Sequence, residues 1–167
     1  GDDLFFLATE ENMRFMSELS KNQSRIENIM IAGGGIVGMT LADKLSQKFS
    51  TKIIEKDLIR SKYLSESLED TVVLNDDISD ESLLDNEGIE EVDYFCSVTN
   101  DDQMNILSAK LAKDLGAKKS IAIINKLSYR KLVSKEIDVV VSPEDVTIGS
   151  ILASVRTSDV VKVHSLG

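Results

Sequence analysis

Ile29-Met30-Ile31-Ala32-Gly33-Gly34-Gly35-Ile36-Val37-Gly38 is the stretch that decides the fold. A short apolar run leads into Gly33, Gly35 and Gly38, which spell G-x-G-x-x-G where a strand pattern gives way to a helix pattern. In such a turn the first glycine permits the tight reversal, and the second removes a side chain so that backbone amides approach a pyrophosphate. The third lets helix and strand pack closely. Beyond the turn, Val37, Leu41, Leu45 and Phe49 recur every four residues, the spacing of one buried helical face. That helix begins at Ile36 and Val37, where unpaired amides and a partial positive charge face any phosphate held by the loop.

Working outward, strands are expected near Ile29–Ala32, Lys52–Glu55, Thr71–Leu74, Tyr94–Val98, Ser120–Ile124 and Asp138–Val141. Met104, Leu107, Leu111 and Leu115 predict a second buried helical face, closed by Gly116. Strands alternating with helices predict an α/β domain, a Rossmann-like doubly wound parallel sheet of about six strands with flanking helices. Its expected span is 25–156, with Pro143 opening a helix over 144–156. Residues 1–24 read as a strand (Leu4–Ala8), a helix (Glu10–Leu19) and a linker, the tail of a preceding small lobe that cannot bury its own apolar faces. Residues 157–167, with Val160–Val163, read as a linker or the start of a following lobe. The chain reads as a fragment of a longer protein.

Composition narrows the function classes. With 167 residues, 42% hydrophobic, there is enough apolar content for a packed core and too much for disorder. A net charge of −10 without a basic run argues against nucleic acid. The apolar runs fall far short of the roughly 20 residues that cross a bilayer, so no direct membrane insertion is expected. The single cysteine, Cys96, cannot form an internal disulfide and reads as a buried strand residue in an intracellular protein. Met39 stands where a nucleotide triphosphatase loop needs its lysine, and no Tyr-x-x-x-Lys pair or Gly-x-Ser-x-Gly elbow exists. The only histidine, His164, has no acid partner in view. The expectation is a binding module and no catalytic residues.

Candidate contacts follow from the sheet, because such sheets bind ligands at the carboxyl ends of their strands. Glu55 ends the second strand 22 residues after Gly33, near the offset at which an acid hydrogen-bonds an adenosine ribose; taken alone it also reads as a surface carboxylate. Lys56 and Arg60 follow, either meeting phosphate or ribose or standing as exposed cations. Asp76 and Asp77 end the third strand, and Thr99, Asn100, Asp102 and Asn105 lie in or just after the turn that follows the fourth. Of these, Thr99 is the foremost candidate, while Asp102 reads equally as a helix cap. Asn125 and Lys126 end the fifth strand on the far side of the crevice.

Together these residues resemble the KTN or RCK nucleotide-binding regulatory domains of potassium transport. The likeness runs through Ile29 to Gly38, Glu55, Asp76-Asp77-Ile78-Ser79-Asp80, Leu83, Val98 to Asp102 with Asn105, and Val141 to Glu144. Asp76 stands where that family usually has glycine. The opening Gly1 to Ala8 and Met13 to Leu19 are similar to the small lobe that precedes the second such domain in the peripheral subunit of bacterial Trk uptake systems. The resemblance implies NAD or NADH in the glycine crevice, in exchange with ATP or ADP, and assembly into dimers or tetramers. It also implies coupling to a membrane potassium channel or transporter subunit of the Trk type, with the protein cytoplasmic and peripheral at the inner membrane's cytoplasmic face.

Overall fold

The computed structural model describes residues 27–133 and 135–143, and within them six strands form one parallel sheet. The strands are β1 (Asn28–Ala32), β2 (Ser50–Ile54), β3 (Thr71–Leu74), β4 (Tyr94–Ser97), β5 (Lys119–Ile123) and β6 (Val139–Val141). Between them run α1 (Ile36–Ser46), α2 (Leu58–Ser67), α3 (Glu81–Asn86), α4 (Asp102–Asp114) and α5 (Leu127–Val133), with a 3-10 turn at Ile89–Glu91. Across the sheet the order is β3-β2-β1-β4-β5-β6, every pair parallel. The order reverses between β1 and β4, which opens a crevice above their carboxyl ends. This is the doubly wound sheet expected from the sequence. The segments expected over 1–24, 144–156 and 157–167 lie outside the described residues, as do residues 25 and 26.

The period of two along β1 places it at the centre. Ile29 and Ile31 join a cluster with Ala42, Ile53, Leu64 and Cys96, while Met30 and Ala32 join another with Ile54, Leu84, Phe95 and Ala112. A strand buried on both faces needs apolar residues at every position, hence its unbroken run. Val37, Leu41 and Leu45 pack on the first cluster as their spacing predicts; Phe49 does too, although α1 has already ended at Ser46.

The second helical stripe is corrected by the structure. Leu107 is 52% exposed, and α4 instead buries Asp102, Asn105, Ser108, Ala109 and Ala112, with Met104, Leu111 and Leu115 half-buried alongside. Small residues let the helix lie close over the sheet, and the polar ones are satisfied there. Glu55, Val98 and Ile124 each fall one residue past the strand expected to contain them, yet their amides extend the ladder to Leu74, Ala32 and Val141 at 2.9 Å. Gly116, with φ +111°, ends α4 in a backbone conformation that other residues avoid.

Two aspartates tie strand beginnings together. Asp93 accepts from the amides of Glu27 (2.8 Å) and Asn28 (2.9 Å) and from Lys118 Nζ (2.6 Å), and Asp138 accepts from the Ser120 amide (2.8 Å) beside Lys113. Burial alone would raise both pKa values, but the hydrogen bonds and lysine charges outweigh it and hold both below the ordinary 3.8. A depressed folded pKa gives stability that is complete above the unfolded value and is lost as pH falls through the folded one. Urea unfolding between pH 7 and 2 should therefore show stability falling below about pH 4. Asp93→Asn should be about 2 kcal/mol weaker at pH 7 and change less across that acid limb. Parallel acid limbs for the two proteins would contradict the role of Asp93.

Candidate functional site

Each glycine of the loop after β1 has its own constraint. Gly33 has φ +109°, and a Cβ there would come within 2.8 Å of Thr99 Cγ2. A Cβ at Gly38 would lie 1.8 Å from the Gly33 carbonyl oxygen, so the first turn of α1 rests directly on the loop. Gly35 is different, since a Cβ there meets nothing within 4 Å and the backbone is extended. Gly34, a position that the motif leaves free, is also confined: its Cβ would meet Leu64 Cδ1 at 2.4 Å and Glu55 Oε2 at 2.9 Å.

The Gly34 peptide is gripped from both sides. Its amide donates to Glu55 Oε2 (2.8 Å), and its carbonyl accepts from Arg60 Nε (2.6 Å). The other carboxylate oxygen, Oε1, accepts from the Asp57 amide (2.8 Å), and Asp57 in turn caps α2 by accepting from the Arg60 amide (2.7 Å). The Arg60 guanidinium also lies 5.0 Å from the Tyr63 ring centroid. One acid and one arginine thus lock the glycine loop to the start of α2, with lone pairs on the Glu55 carboxylate left for further donors.

Carboxylates cap the helices that follow three other strands. Asp57, Asp80 and Asp101 accept from first-turn amides of α2, α3 and α4. The N-cap of α1 is Gly35, with no side-chain cap. Its first-turn amides have no partner inside the helix, and they stand where the helix dipole favours an anion.

The crevice itself measures about 420 Å³. Gly33, Gly34 and Gly35 form one wall and Glu55, Lys56, Asp57 and Arg60 another, with Asp77, Ile78, Val98, Thr99, Asn100, Asp101 and Met104 around the rest. Of the residues expected from sequence, Gly33, Gly35, Glu55, Lys56, Arg60, Asp77, Thr99 and Asn100 line it together. Ile36, Val37 and Gly38 form the adjoining first turn of α1, where Ile36 is 83% exposed and Gly38 is buried. Asp77 accepts from the Ser79 hydroxyl (2.7 Å) and amide (2.9 Å), which, with the Lys56 charge, hold its pKa below the usual range against the opposing effect of burial.

Asp76, Asp102 and Asn105 lie outside that lining. Asp76 is exposed and accepts from the Asp77 amide (2.8 Å). Asp102 is not the cap; Asp101 is. Its carboxylate instead holds the turn after β5, accepting from the amides of Asn125 (2.9 Å) and Lys126 (2.8 Å) and from Asn125 Nδ2 (2.7 Å). Burial would raise its pKa, but these bonds and the Lys126 charge lower it overall. Asn105 is fully buried and shapes the crevice from below. Its Oδ1 accepts from the Thr99 amide (2.9 Å) and hydroxyl (2.6 Å), and its Nδ2 donates to the carbonyls of Thr99 (2.9 Å) and Ile123 (2.8 Å).

Sequence reading missed Gly34, because the motif ignores that position, and Asn75, whose Nδ2 donates to the Glu55 and Lys56 carbonyls at 2.8 and 3.1 Å. It also missed Asp57 and Asp101, although an aspartate before a helix was signal enough for both. Cys96 is buried as expected, and desolvation pushes its thiol pKa up to about 12. Among the described residues no helix is long and apolar enough to cross a membrane.

Residues 29–143 match the TrkA-N domain family. A Trk system potassium uptake protein TrkA from Halomonas elongata is 45% identical over 167 residues, covering 99% of this chain and 36% of that protein. The chain spans little more than a third of the length of such curated relatives. In fold it is similar to the NAD(P)-binding domain of an exopolyphosphatase-related protein from Archaeoglobus fulgidus, with TM-score 0.69 and 19% identity over 80% of this chain and 99% of that one. It is also similar to the GsuK channel bound to NAD, with TM-score 0.61 and 16% identity over 79% of this chain and 27% of that one.

Proposed function

This chain belongs to the TrkA-N domain family, and on that footing we propose that it is an adenine-nucleotide-binding regulatory domain of a potassium uptake system, with NAD or NADH as its ligand. The observation that carries the reading is the pairing of an uncapped α1 with an acid that lines the same crevice beside the glycine loop. A pyrophosphate would take the place at α1 that Asp57, Asp80 and Asp101 take at their helices, and the Glu55 carboxylate would accept from the ribose hydroxyls. ATP and ADP share the adenosine and phosphate groups and compete for the same crevice.

In this reading the domain is the second of two in a peripheral cytoplasmic subunit. That subunit forms a homo-oligomer docked on a membrane potassium channel or transporter of the Trk type. Nucleotide occupancy acts there through different affinities for two arrangements of the oligomer, the only way a ligand can shift such a balance. No chemical step is assigned to it.

Calorimetric titration of the protein with NAD, NADH, ATP and ADP tests the proposal. Saturable one-site binding of NAD or NADH, displaced by ADP, is the expected result. Absence of binding by all four would leave a scaffold with an unused crevice and refute the reading. A protein-dependent loss of 340 nm absorbance from NADH with small carbonyl compounds would make the chain an oxidoreductase instead.

A further inference from the structure

Asn105 is fully buried, and its amide can be oriented in one way only. Oδ1 takes the Thr99 amide N–H (2.9 Å), while Nδ2 faces two carbonyls, of Thr99 (2.9 Å) and Ile123 (2.8 Å); the reverse orientation would set oxygen against oxygen. An Oδ1 so placed only accepts, so the proton in its 2.6 Å contact with the Thr99 hydroxyl comes from Thr99. We propose that Asn105 is thereby a positioning residue for nucleotide selection: it holds the Thr99 hydroxyl proton inside the protein, so Thr99 meets the nucleotide as an acceptor and takes a hydrogen-bond donor of its adenosine moiety, a ribose hydroxyl or the ring amine. The inference rests on adenine-nucleotide binding in this crevice and adds which chemical groups the β4 side of it selects.

The neighbouring hydroxyls leave Oδ1 to Thr99. Ser108 Oγ lies 2.7 Å from the Met104 carbonyl, which only accepts, so Ser108 donates there and its 2.6 Å contact with Ser97 takes the Ser97 proton. Ser97, 3.2 Å from Oδ1, then has no proton for Asn105, and both lone pairs of Oδ1 serve Thr99. Ser97, Asn105 and Ser108 are fully buried, so water does not compete for these protons. On Thr99 one lone pair accepts from the Asp101 amide at 3.2 Å, and one remains on a residue that lines the crevice. A phosphate oxygen brought there would set acceptor against acceptor, whereas a hydroxyl or amine completes the set. The crevice is thus polar in a directed sense, with amide donors at the start of α1 and acceptors at Glu55 and Thr99.

Calorimetry on the full-length protein with ADP, 2′-deoxy-ADP, 3′-deoxy-ADP and IDP, which lacks the ring amine, tests each donor in turn. Thr99→Val, of the same shape without the hydroxyl, should weaken ADP about three- to tenfold and leave the analogue that lacks the matching donor within about twofold of its wild-type affinity. Thr99→Ser, which keeps the hydroxyl, should keep the discrimination. Asn105→Ala frees the Thr99 proton, so the preference for ADP over that analogue should shrink toward unity even where both affinities fall; a merely structural role would lower both alike. If that variant does not fold, the two Thr99 variants decide alone. Equal losses for all four ligands in Thr99→Val, or no loss of ADP, would overturn the proposal, as would an unchanged preference in a folded Asn105→Ala. Failure of ADP and NAD alike to bind the wild-type protein would instead remove the reading beneath it.

Discussion

Replacing Gly38 by alanine should destabilise the protein by about 3 kcal/mol or more, a fall of about 10 °C in melting temperature. The new Cβ would sit 1.8 Å from the Gly33 carbonyl oxygen. Neither partner can rotate away, because the Gly33 amide donates to Ile54 O at 2.9 Å and Thr99 closes the other side of that residue. Relief requires α1 to lift from the loop and from Ile29, Ile31 and Ile53 beneath it. Gly35→Ala is the matched control, since open space surrounds its Cβ and its φ of −66° suits any residue. Its melting temperature should move by no more than about 2 °C. Thermal unfolding of the two variants side by side checks the claim, and equal stability would mean that the loop and helix are less tightly apposed than described.

That contrast marks how far the sequence could be read. The three motif glycines were legible because a strand, a tight turn and a helix in succession leave few alternatives, and the apolar run of β1 needed burial on both sides. Leu107 was misread because a four-residue spacing of large apolar side chains outweighed the small residues between them. Ala109 and Ala112 carry little hydrophobic signal, yet they set how closely α4 approaches the sheet. Asn105 was legible as a residue of interest, though not as a buried one, since nothing local announces the four hydrogen bonds that its side chain makes to Thr99 and Ile123. The grip of Glu55 and Arg60 on Gly34 depends on a fold that brings positions 21 and 26 residues apart together.

Glu55→Ala should weaken NAD about ten- to a hundred-fold, the loss of one or two hydrogen bonds to a charged acceptor. In the wild-type protein NADP should bind much more weakly than NAD, because a 2′-phosphate brings like charge against this carboxylate. The variant should narrow the gap. Arg60 lines the same crevice, but its Nε is engaged with the Gly34 carbonyl, which limits its use as a counter-charge. Glu55 also holds the amides of Gly34 and Asp57, one on each oxygen, so Glu55→Gln is the companion variant; it removes the charge and keeps one of the two acceptors at the same length. If loss of the charge matters to the ribose, Gln should lose most of the NAD affinity while its melting temperature falls less than that of Glu55→Ala, because one of the two amide bonds is kept. Equal affinity for NAD and NADP in the wild type, or undiminished NAD binding in both variants, would remove Glu55 from the ribose.

Cys96 has a practical corollary. Burial pushes its thiol pKa up to about 12, so little thiolate forms at neutral pH, and the residue is only 3% exposed. Slow reaction of the folded chain with maleimides and disulfide probes is therefore expected, although it carries the sequence's one cysteine. A dye or spin label attached at a cysteine introduced on the surface, for instance in place of Leu132, would report from a single defined point, with no need to rebuild the core to remove the native thiol.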